Sequence, residues 1–198
     1  MTNQPTVFVV FGPQGSGKST QVARLAEKHD LKVFEAGKAL RERAATDEKL
    51  RQEVTTGVLV SDDTMREIVE SFIGSNPSAQ GYVFDGYPRN LNQFTGFESL
   101  VEEHGWHVAG IFINLTDESA KKRISTRFQI VDGQKITRED DKPEIVQKRL
   151  DTFKAETLPL KASFGEKYKL LEIDGEPAID DVTDQIVEAV DQFLHDSN

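Results

Sequence analysis

VFVVF, GPQGSGKS and TQVARLAEKH follow one another without a break, at residues 7–11, 12–19 and 20–29. A short apolar run, a glycine-rich loop and a helical pattern in this order are typical of a phosphate-binding loop between a strand and a helix. Glycine lets backbone N–H groups turn onto phosphate oxygens at the helix N-terminus, where the helix dipole favours anions. Lys18 can reach the β and γ phosphates, and Ser19 can bind Mg²⁺. The stretch predicts a nucleoside triphosphate site formed by Gly12, Gln14, Gly15, Ser16, Gly17, Lys18, Ser19 and Thr20.

Four other short apolar runs alternate with helical patterns along the rest of the chain, at residues 32–34, 82–84, 110–115 and 170–173. This alternation is typical of βαβ units. It predicts an α/β fold in which a five-stranded parallel sheet is flanked by helices on both faces. Ser61, Asn90 and Thr116 each precede a helical pattern and are expected to cap its N-terminus.

One of these strands ends in a carboxylate: residues 82–85 read YVFD. The carboxyl ends of parallel strands lie at one edge of the sheet, where the phosphate loop also begins. A carboxylate at that edge can hold a water molecule that is bound to Mg²⁺. Asp85 is therefore predicted to act on the metal through water, whereas Ser19 binds it directly. The alternative is that Asp85 only caps the turn that follows it.

The composition restricts what the chain can bind. Its 198 residues carry a formal net charge of −10, whereas general nucleic-acid binders usually carry a basic face. The chain has no cysteine, so disulfides and thiolate metal sites are excluded. No apolar run approaches the roughly 20 residues that span a bilayer, and the N-terminus lacks the basic flank of a secretory signal. These features fit a cytoplasmic protein with neither a nucleic-acid nor a membrane partner.

Residues 85–89, DGYPR, resemble a signature of the adenylate and UMP/CMP kinases, and with GPQGSGKSTQ upstream the resemblance covers nearly the whole chain. It implies a P-loop NTPase fold with a helical monophosphate-binding part and a short lid. It further implies a monomeric nucleoside monophosphate kinase that transfers a phosphoryl group reversibly from Mg·ATP to AMP, giving two ADP. The expected division of this single domain is a core at 1–35, 66–127 and 139–198, a monophosphate-binding part at 36–65 and a lid at 128–138.

The resemblance also assigns the residues around the acceptor nucleotide. In the family, the arginine of DGYPR and one in the segment AGKALR, residues 36–41, bind the acceptor phosphate. The segment GVLV, residues 57–60, lines the acceptor base and ribose. Gln93 lies where adenylate kinases place a glutamine that hydrogen-bonds the acceptor adenine. The residues implied for AMP are Ala36, Gly37, Arg41, Leu59, Val60, Gly86, Arg89, Gln93, Arg138 and Arg149.

A second group of arginines resembles those that flank and fill the lid of the family, and Asp174-Gly175 resembles the loop against the donor adenine. On a helix, Arg123 and Arg127 would share one face about 6 Å apart along the axis. Phosphoryl transfer needs mainly positioning and positive charge against phosphoryl oxygens. The resemblance adds Arg123, Arg127 and Pro177 to the donor site. It implies catalytic roles for Lys18, Arg89, Arg123, Arg127, Arg138 and Arg149.

The expected lid has its own sequence signal. The β-prone runs FQIV and QKIT, residues 128–131 and 134–137, are separated only by Asp132-Gly133, and a two-residue Asp-Gly turn indicates a hairpin. This lid is shorter than the long, often zinc-binding lid of many bacterial adenylate kinases, and we expect no structural zinc because cysteine is absent. A helix is expected next, with Pro143 in its first turn and Arg149 on it.

Two positions depart from the adenylate kinase pattern. Ala36 stands where threonine is usual, and Lys38 stands where a carboxylate that helps to hold magnesium-bound water is usual. Alanine at the first position is common in UMP/CMP kinases, which keeps that activity as the alternative, whereas Gln93 favours AMP. A non-enzymatic nucleotide sensor is a distant alternative. The chain has no NKxD motif for guanine, and Arg41 and Arg89 would have no purpose in a switch.

Overall fold

The computed structural model describes residues 4–48, 50–51, 60–126, 129–131, 134–136 and 143–196, with residues 129–131 and 134–136 described by their backbone only. A five-stranded parallel sheet forms its centre, with the strands β1 (Thr6–Phe11), β2 (Lys32–Glu35), β3 (Gly81–Asp85), β4 (His107–Asn114) and β7 (Lys169–Asp174). Their order across the sheet is β2-β3-β1-β4-β7. All five predicted strands are confirmed. β4 begins at His107, before the apolar run 110–115, because residues 107–109 already pair with residues 6–8 of β1.

The central strand β1 determines where the site forms. Val7, Phe8 and Val9 are fully buried, as expected for a parallel strand that is covered on both faces. Val10 lies opposite Asp85 of β3 and Ile111 of β4 in the two registers. Because these neighbours run parallel to β1, the phosphate loop and Asp85 leave the sheet at the same edge.

The helices of the described residues are α1 (Lys18–His29), α2 (Ala36–Ala44), α3 (Asp62–Gly74), α4 (Leu91–His104), α5 (Asp117–Ser125), α6 (Pro143–Thr152), α7 (Leu158–Lys167) and α8 (Ile179–Asp196), with a π-helical turn (Phe153–Thr157) between α6 and α7. The predicted caps are confirmed: the side chains of Ser61, Asn90 and Thr116 accept the backbone N–H three residues later. Each of these bonds satisfies a donor that the first helical turn leaves unpaired. Within the described ranges, no helix has both the length and the apolar character needed to cross a membrane.

The two faces of the sheet bury different side chains. One face, under α3, α4 and α7, is rich in aromatic rings: Phe84 lies within 6.1 Å, centroid to centroid, of the rings of Phe34, Tyr87, Phe97 and Trp106. The other face, under α1 and α8, is mainly aliphatic. Burial of both faces fixes α1 against the sheet and β3 within it, and with them the two segments that carry the predicted phosphate ligands.

The predicted hairpin is confirmed. β5 (Gln129–Val131) and β6 (Gln134–Ile136) pair antiparallel, with Val131 opposite Gln134 and only two residues between the strands. The helix after it begins at Pro143 and carries Arg149, as predicted. Proline is tolerated at this first position because its missing N–H would have had no partner in the helix.

Candidate active site

The phosphate loop connects β1 to α1 and contains three glycines with positive φ angles. The backbone φ angle is 152° at Gly12, 85° at Gly15 and 85° at Gly17, a region that side chains rarely adopt. A Cβ atom on Gly15 would lie 2.9 Å from the carbonyl oxygen of Ala120, so the loop passes directly over α5. The glycines therefore supply both the turn and the close approach that the loop needs.

Lys18, the first residue of α1, folds back onto this loop. Its Nζ donates hydrogen bonds to the carbonyl oxygens of Gly12 at 2.7 Å and Pro13 at 2.9 Å. Burial lowers the pKa of Lys18 to about 8. The charge of Asp85 opposes this shift and that of Arg89 adds to it. A buried cation of this kind is stabilised when an anion enters the loop beside it.

Ser19 and Asp85 meet beside the loop. The hydroxyl of Ser19 donates to Oδ2 of Asp85 at 3.2 Å. Asp85 is the last residue of β3 and stands opposite Val10 of β1. A hydroxyl and a carboxylate are the hard oxygen ligands that Mg²⁺ prefers, and these are the two residues predicted for the metal.

The turn after β3 holds Arg89 by its backbone. Its N–H donates to Oε1 of Gln93 at 2.9 Å, and its carbonyl oxygen accepts from the hydroxyl of Thr157 at 3.4 Å. A Cβ atom on Gly86, where φ is 80°, would lie 3.1 Å from Nη2 of Arg89. The guanidinium thus lies close to the backbone of the turn, at a place that suits glycine.

The guanidinium of Arg89 is buried, and both positive and negative side chains lie near it. Burial lowers its pKa, while the carboxylates of Asp85 and Glu156 raise it and the charge of Arg149 lowers it. Oε2 of Glu156 is itself buried and has no hydrogen-bond partner in the described part of the chain. A guanidinium that is already desolvated and held in position is well suited to bind phosphate oxygens.

A cavity of about 560 Å³ joins these groups. Its lining includes Gly12, Gln14, Lys18, Asp85, Gly86, Arg89, Lys148 and Arg149, with Phe153 and Thr157 of the π-helical turn. Segments far apart in the sequence therefore bring four cationic side chains and one carboxylate to a single space.

A second cavity, of about 330 Å³, lies on the other side of the loop. It is lined by Gly15, Ser16, Gly17, Gln21, Arg123, Pro177, Ala178, Ile179 and Val182. Nη2 of Arg123 donates to the carbonyl oxygens of Glu176 at 2.9 Å and Pro177 at 3.3 Å. The predicted donor-side residues Arg123 and Pro177 are thus in direct contact next to the glycines of the loop.

A family model described as Adenylate kinase matches residues 10–169 of the chain. The chain belongs to the adenylate kinase family. It is 33% identical over 188 residues to "Adenylate kinase" of Xanthomonas euvesicatoria pv. vesicatoria (strain 85-10), a match that covers 92% of this chain and 98% of the relative. It is 29% identical over 211 residues to "Adenylate kinase" of Methanococcoides burtonii, which covers 93% of this chain and 98% of the relative. As a member of this family, the chain is a phosphotransferase of the nucleoside monophosphate kinase class.

Only some of the residues that the adenylate kinase resemblance assigned to AMP line the central cavity. Gly86, Arg89 and Arg149 line the central cavity. Ala36 is buried at the start of α2, and its Cβ atom lies 3.5 Å from the Cβ position of Gly86. The others that the structure describes, Gly37, Arg41, Val60 and Gln93, do not line this cavity. Leu59 and Arg138 lie outside the described residues.

The side chain of Gln93 is not freely accessible to an acceptor base. Only 8% of it is exposed, and its side-chain oxygen already accepts the backbone N–H of Arg89. One lone pair of that oxygen and the two amide N–H donors remain for other partners. Gln93 therefore positions Arg89, and any contact with an acceptor base has to share the amide with that role.

On the donor side, Arg123 and Pro177 line the second cavity, as do Gly15, Ser16 and Gly17. Thr20 lies in the first turn of α1, and its N–H donates to the carbonyl oxygen of Gly17. Arg127, like Arg138, lies outside the described residues.

Sequence reasoning missed several residues that the structure brings to the site. Lys148 lines the central cavity next to Arg149, and its position beside an assigned arginine on a predicted helix was an available signal. In the π-helical turn, Thr157 bonds the backbone of Arg89 and the charge of Glu156 acts on its guanidinium; the sequence gives no sign of this turn. Gln21 lies in the second cavity, and a polar residue on the apolar face of α1 was the signal for it.

Proposed function

We propose that the protein transfers the γ-phosphoryl group of Mg·ATP reversibly to AMP, giving two ADP. The observation that carries this proposal is the central cavity, which Lys18 of the phosphate loop and Arg89 of the DGYPR turn share. Each of these cations is desolvated, and the charge of Arg89 further lowers the pKa of Lys18. Two anionic groups in one space, a donor and an acceptor phosphate, would stabilise both cations.

The donor nucleotide is assigned to the phosphate loop and the second cavity. Gly12, Gln14, Gly15, Ser16, Gly17, Lys18, Ser19 and Thr20 would hold the triphosphate, and the adenine would enter the space of about 330 Å³ between the loop and Pro177. A guanidinium can stack on a purine ring, so Arg123 is the side chain proposed to cover the base. Arg127 would bind the donor phosphates.

The acceptor is assigned to the opposite side of the central cavity. Arg89 and Arg149, with Arg138 of the lid, would bind the phosphate of AMP, and Arg41 would approach it from α2. Ala36, Gly37, Leu59, Val60, Gly86 and Gln93 would surround the ribose and base. This assignment makes residues 36–65 the acceptor-binding part, residues 128–138 the lid, and the rest of this single domain the core.

Mg²⁺ is the proposed metal of the donor site. The residues fit it, because the Ser19 hydroxyl and the Asp85 carboxylate lie 3.2 Å apart beside the loop and both offer oxygen ligands. Ser19 would bind the ion directly and Asp85 through a water molecule. When bound, the ion would neutralise charge on the phosphates.

The side chains of the chain itself account for the rest of the chemistry. Lys18, Arg89 and Arg149 place positive charge around the cavity in which charge moves from the donor to the acceptor oxygen. Closure of the hairpin lid would exclude water, which otherwise competes as the acceptor, and would bring Arg127 and Arg138 to the phosphates. We propose that the protein works as a cytoplasmic monomer without zinc.

A UMP/CMP kinase activity is the second candidate, and two observations favour it. Ala36 replaces the threonine that is usual in adenylate kinases, and it is buried next to the Gly86 turn. The side-chain oxygen of Gln93 already has a donor in the backbone of Arg89, which weakens its use as an adenine reader. A non-enzymatic nucleotide sensor is the distant third candidate.

A coupled assay with Mg·ATP and an acceptor panel of AMP, dAMP, CMP, UMP and GMP tests the proposal. We expect AMP to exceed CMP and UMP by at least roughly tenfold in kcat/KM, since a buried amide left half-paired by the wrong base costs about 1 to 3 kcal/mol. A preference for CMP or UMP would establish the second candidate. Binding of ATP without turnover of any acceptor would establish the third.

A Gln93→Glu variant separates the two roles of Gln93. A glutamate can still accept the backbone N–H of Arg89, but it has no N–H donor for a ring nitrogen of adenine. We expect the preference for AMP over CMP to shrink mainly because kcat/KM falls with AMP. An unchanged preference in the variant would show that Gln93 serves only Arg89.

A further inference from the structure

Gln21 is a buried polar residue that the proposed chemistry does not use. It lies on α1 with 3% of its surface exposed. Its Nε2 donates to the carbonyl oxygen of Ile179 at 2.9 Å, and its Oε1 accepts from the hydroxyl of Thr183 at 2.8 Å. Both ends of the amide are thus engaged with the start of α8, which buried polar groups require.

The surroundings fix the orientation of this amide. If it were flipped, Oε1 would face the carbonyl oxygen of Ile179 and two acceptors would meet without a proton. Arg24 supports the same arrangement, because its Nη1 donates to Oγ1 of Thr183 at 2.6 Å and lies 2.8 Å from a carboxylate oxygen of Asp180. Gln21 is therefore one member of a connected polar network between α1 and α8.

This network meets the second cavity at one wall. Pro177, Ala178 and Ile179 form the wall, and Gln21 lines the same cavity together with the glycines of the phosphate loop. Gln21 thus joins the first turn of α1 directly to this wall. Arg24 and the apolar cluster of Val22 and Val182 hold α1 against α8 further along, whereas Gln21 acts at the wall itself.

We propose that Gln21 is a positioning residue for the donor base: through Ile179 it holds the wall 177–179 at a fixed distance from the phosphate loop, so that one ligand can fill both. The inference rests on the proposed placement of the donor base in the second cavity. Gln21 does not act on the phosphates, whose binding depends on the loop glycines and Lys18. A ligand without a base should therefore bind equally well whether or not Gln21 is present.

Two ligands distinguish this role from a general structural one. Isothermal titration would measure the Kd of Mg·ATP and of Mg-bound inorganic tripolyphosphate, which has no base, for the wild-type protein and for Gln21→Met. Methionine keeps the length of the side chain and removes both hydrogen bonds. We expect the Kd of ATP to rise about tenfold, the loss of roughly one buried hydrogen bond, and the Kd of tripolyphosphate to change less than twofold.

Gln192→Met is the control. Gln192 also lies on α8, its Nε2 donates to Oδ1 of Asp196 at 2.6 Å, and it does not line the second cavity. We expect this substitution to change the Kd of ATP less than twofold. If Gln21→Met does not fold, Thr183→Val removes the hydroxyl partner of Gln21, and we expect it to raise the Kd of ATP without changing that of tripolyphosphate.

An equal rise in the Kd of ATP and of tripolyphosphate would overturn the inference, because Gln21 would then support the phosphate loop itself. So would an unchanged Kd of ATP in a folded Gln21→Met protein. Because these are binding measurements, a wild-type protein that binds ATP but fails to phosphorylate AMP would refute the proposed function and leave this test valid.

Discussion

Replacement of Lys18 by methionine should remove phosphoryl transfer and change how the free energy of unfolding of the protein depends on pH. Burial lowers the pKa of Lys18 from its ordinary value of 10.5 to about 8. One pKa unit corresponds to about 1.4 kcal/mol. Holding the ammonium group charged in the empty loop therefore lowers the free energy of unfolding by about 3 kcal/mol at pH 7. Methionine has no such charge to bury.

The pH dependence follows from where the proton is held. Below pH 8 the folded and unfolded chains both keep the Lys18 proton, and the destabilisation is fully present. Between pH 8 and 10.5 only the unfolded chain keeps it, so the contribution of Lys18 to stability rises with pH by up to about 1.4 kcal/mol per unit. The free energy of unfolding of the wild type should thus rise by about 3 kcal/mol relative to that of Lys18→Met from pH 7 to pH 10.5.

Urea unfolding of both proteins at half-unit steps between pH 7 and pH 10.5 measures this difference. The variant also loses the bonds from Nζ to the carbonyl oxygens of Gly12 and Pro13. This loss changes the difference in free energy of unfolding by the same amount at every pH, so it does not alter the pH dependence. Lys28→Met is the control, since Lys28 lies on the same helix but is 40% exposed in a surface pair with Asp191. A difference between Lys18→Met and wild type that does not vary with pH would refute the reasoning, as would near-wild-type turnover.

Three further outcomes are expected. Arg89→Ala should lower kcat/KM by the equivalent of about 3 to 4 kcal/mol, the scale of one preorganised charge-stabilising donor, and a loss below about tenfold would make Arg89 a structural residue. Turnover should stop in EDTA, return with Mg²⁺ and be weakened by Ser19→Ala, whereas activity that survives EDTA would contradict the metal assignment. Gly81→Ala should destabilise the protein by about 3 kcal/mol, since its Cβ atom would lie 2.2 Å from the carbonyl oxygen of Thr6. Gly74→Ala, which meets no atom within 4 Å, should leave stability equal or slightly higher in the same thermal unfolding assay.

The parts of the fold that could be predicted are those with a local physical cause. Strands that pack on both faces are rich in apolar residues, and short runs rich in such residues marked all five strands of the sheet. Side-chain caps act over three residues, so Ser61, Asn90 and Thr116 could be assigned without knowledge of the tertiary structure. The Asp-Gly pair between β5 and β6 indicated the hairpin for the same reason.

The parts that could not be predicted depend on contacts between distant segments. Gln21 and the carbonyl oxygen of Ile179 are 158 positions apart, and no local pattern specifies that pair. Thr157 reaches the backbone of Arg89 from a π-helical turn, and one extra residue in a helical turn changes which side chains face the cavity. Gln93 was assigned to the acceptor base by its position, but only the folded chain shows that its oxygen holds Arg89.

The charge arrangement of the central cavity suits the two phosphates of the proposed reaction. Lys18 and Arg89 are both desolvated; the carboxylate of Asp85 acts on each of them, and that of Glu156 acts on Arg89 as well. These carboxylates do not offset the desolvation fully, because the pKa of each cation is still lowered, so a phosphate that binds beside either cation relieves the penalty that remains there. Because the two cations repel each other, an anion beside Lys18 also reduces the repulsion felt at Arg89. The first nucleotide should therefore change the affinity for the second through charge alone, even before any movement of the lid.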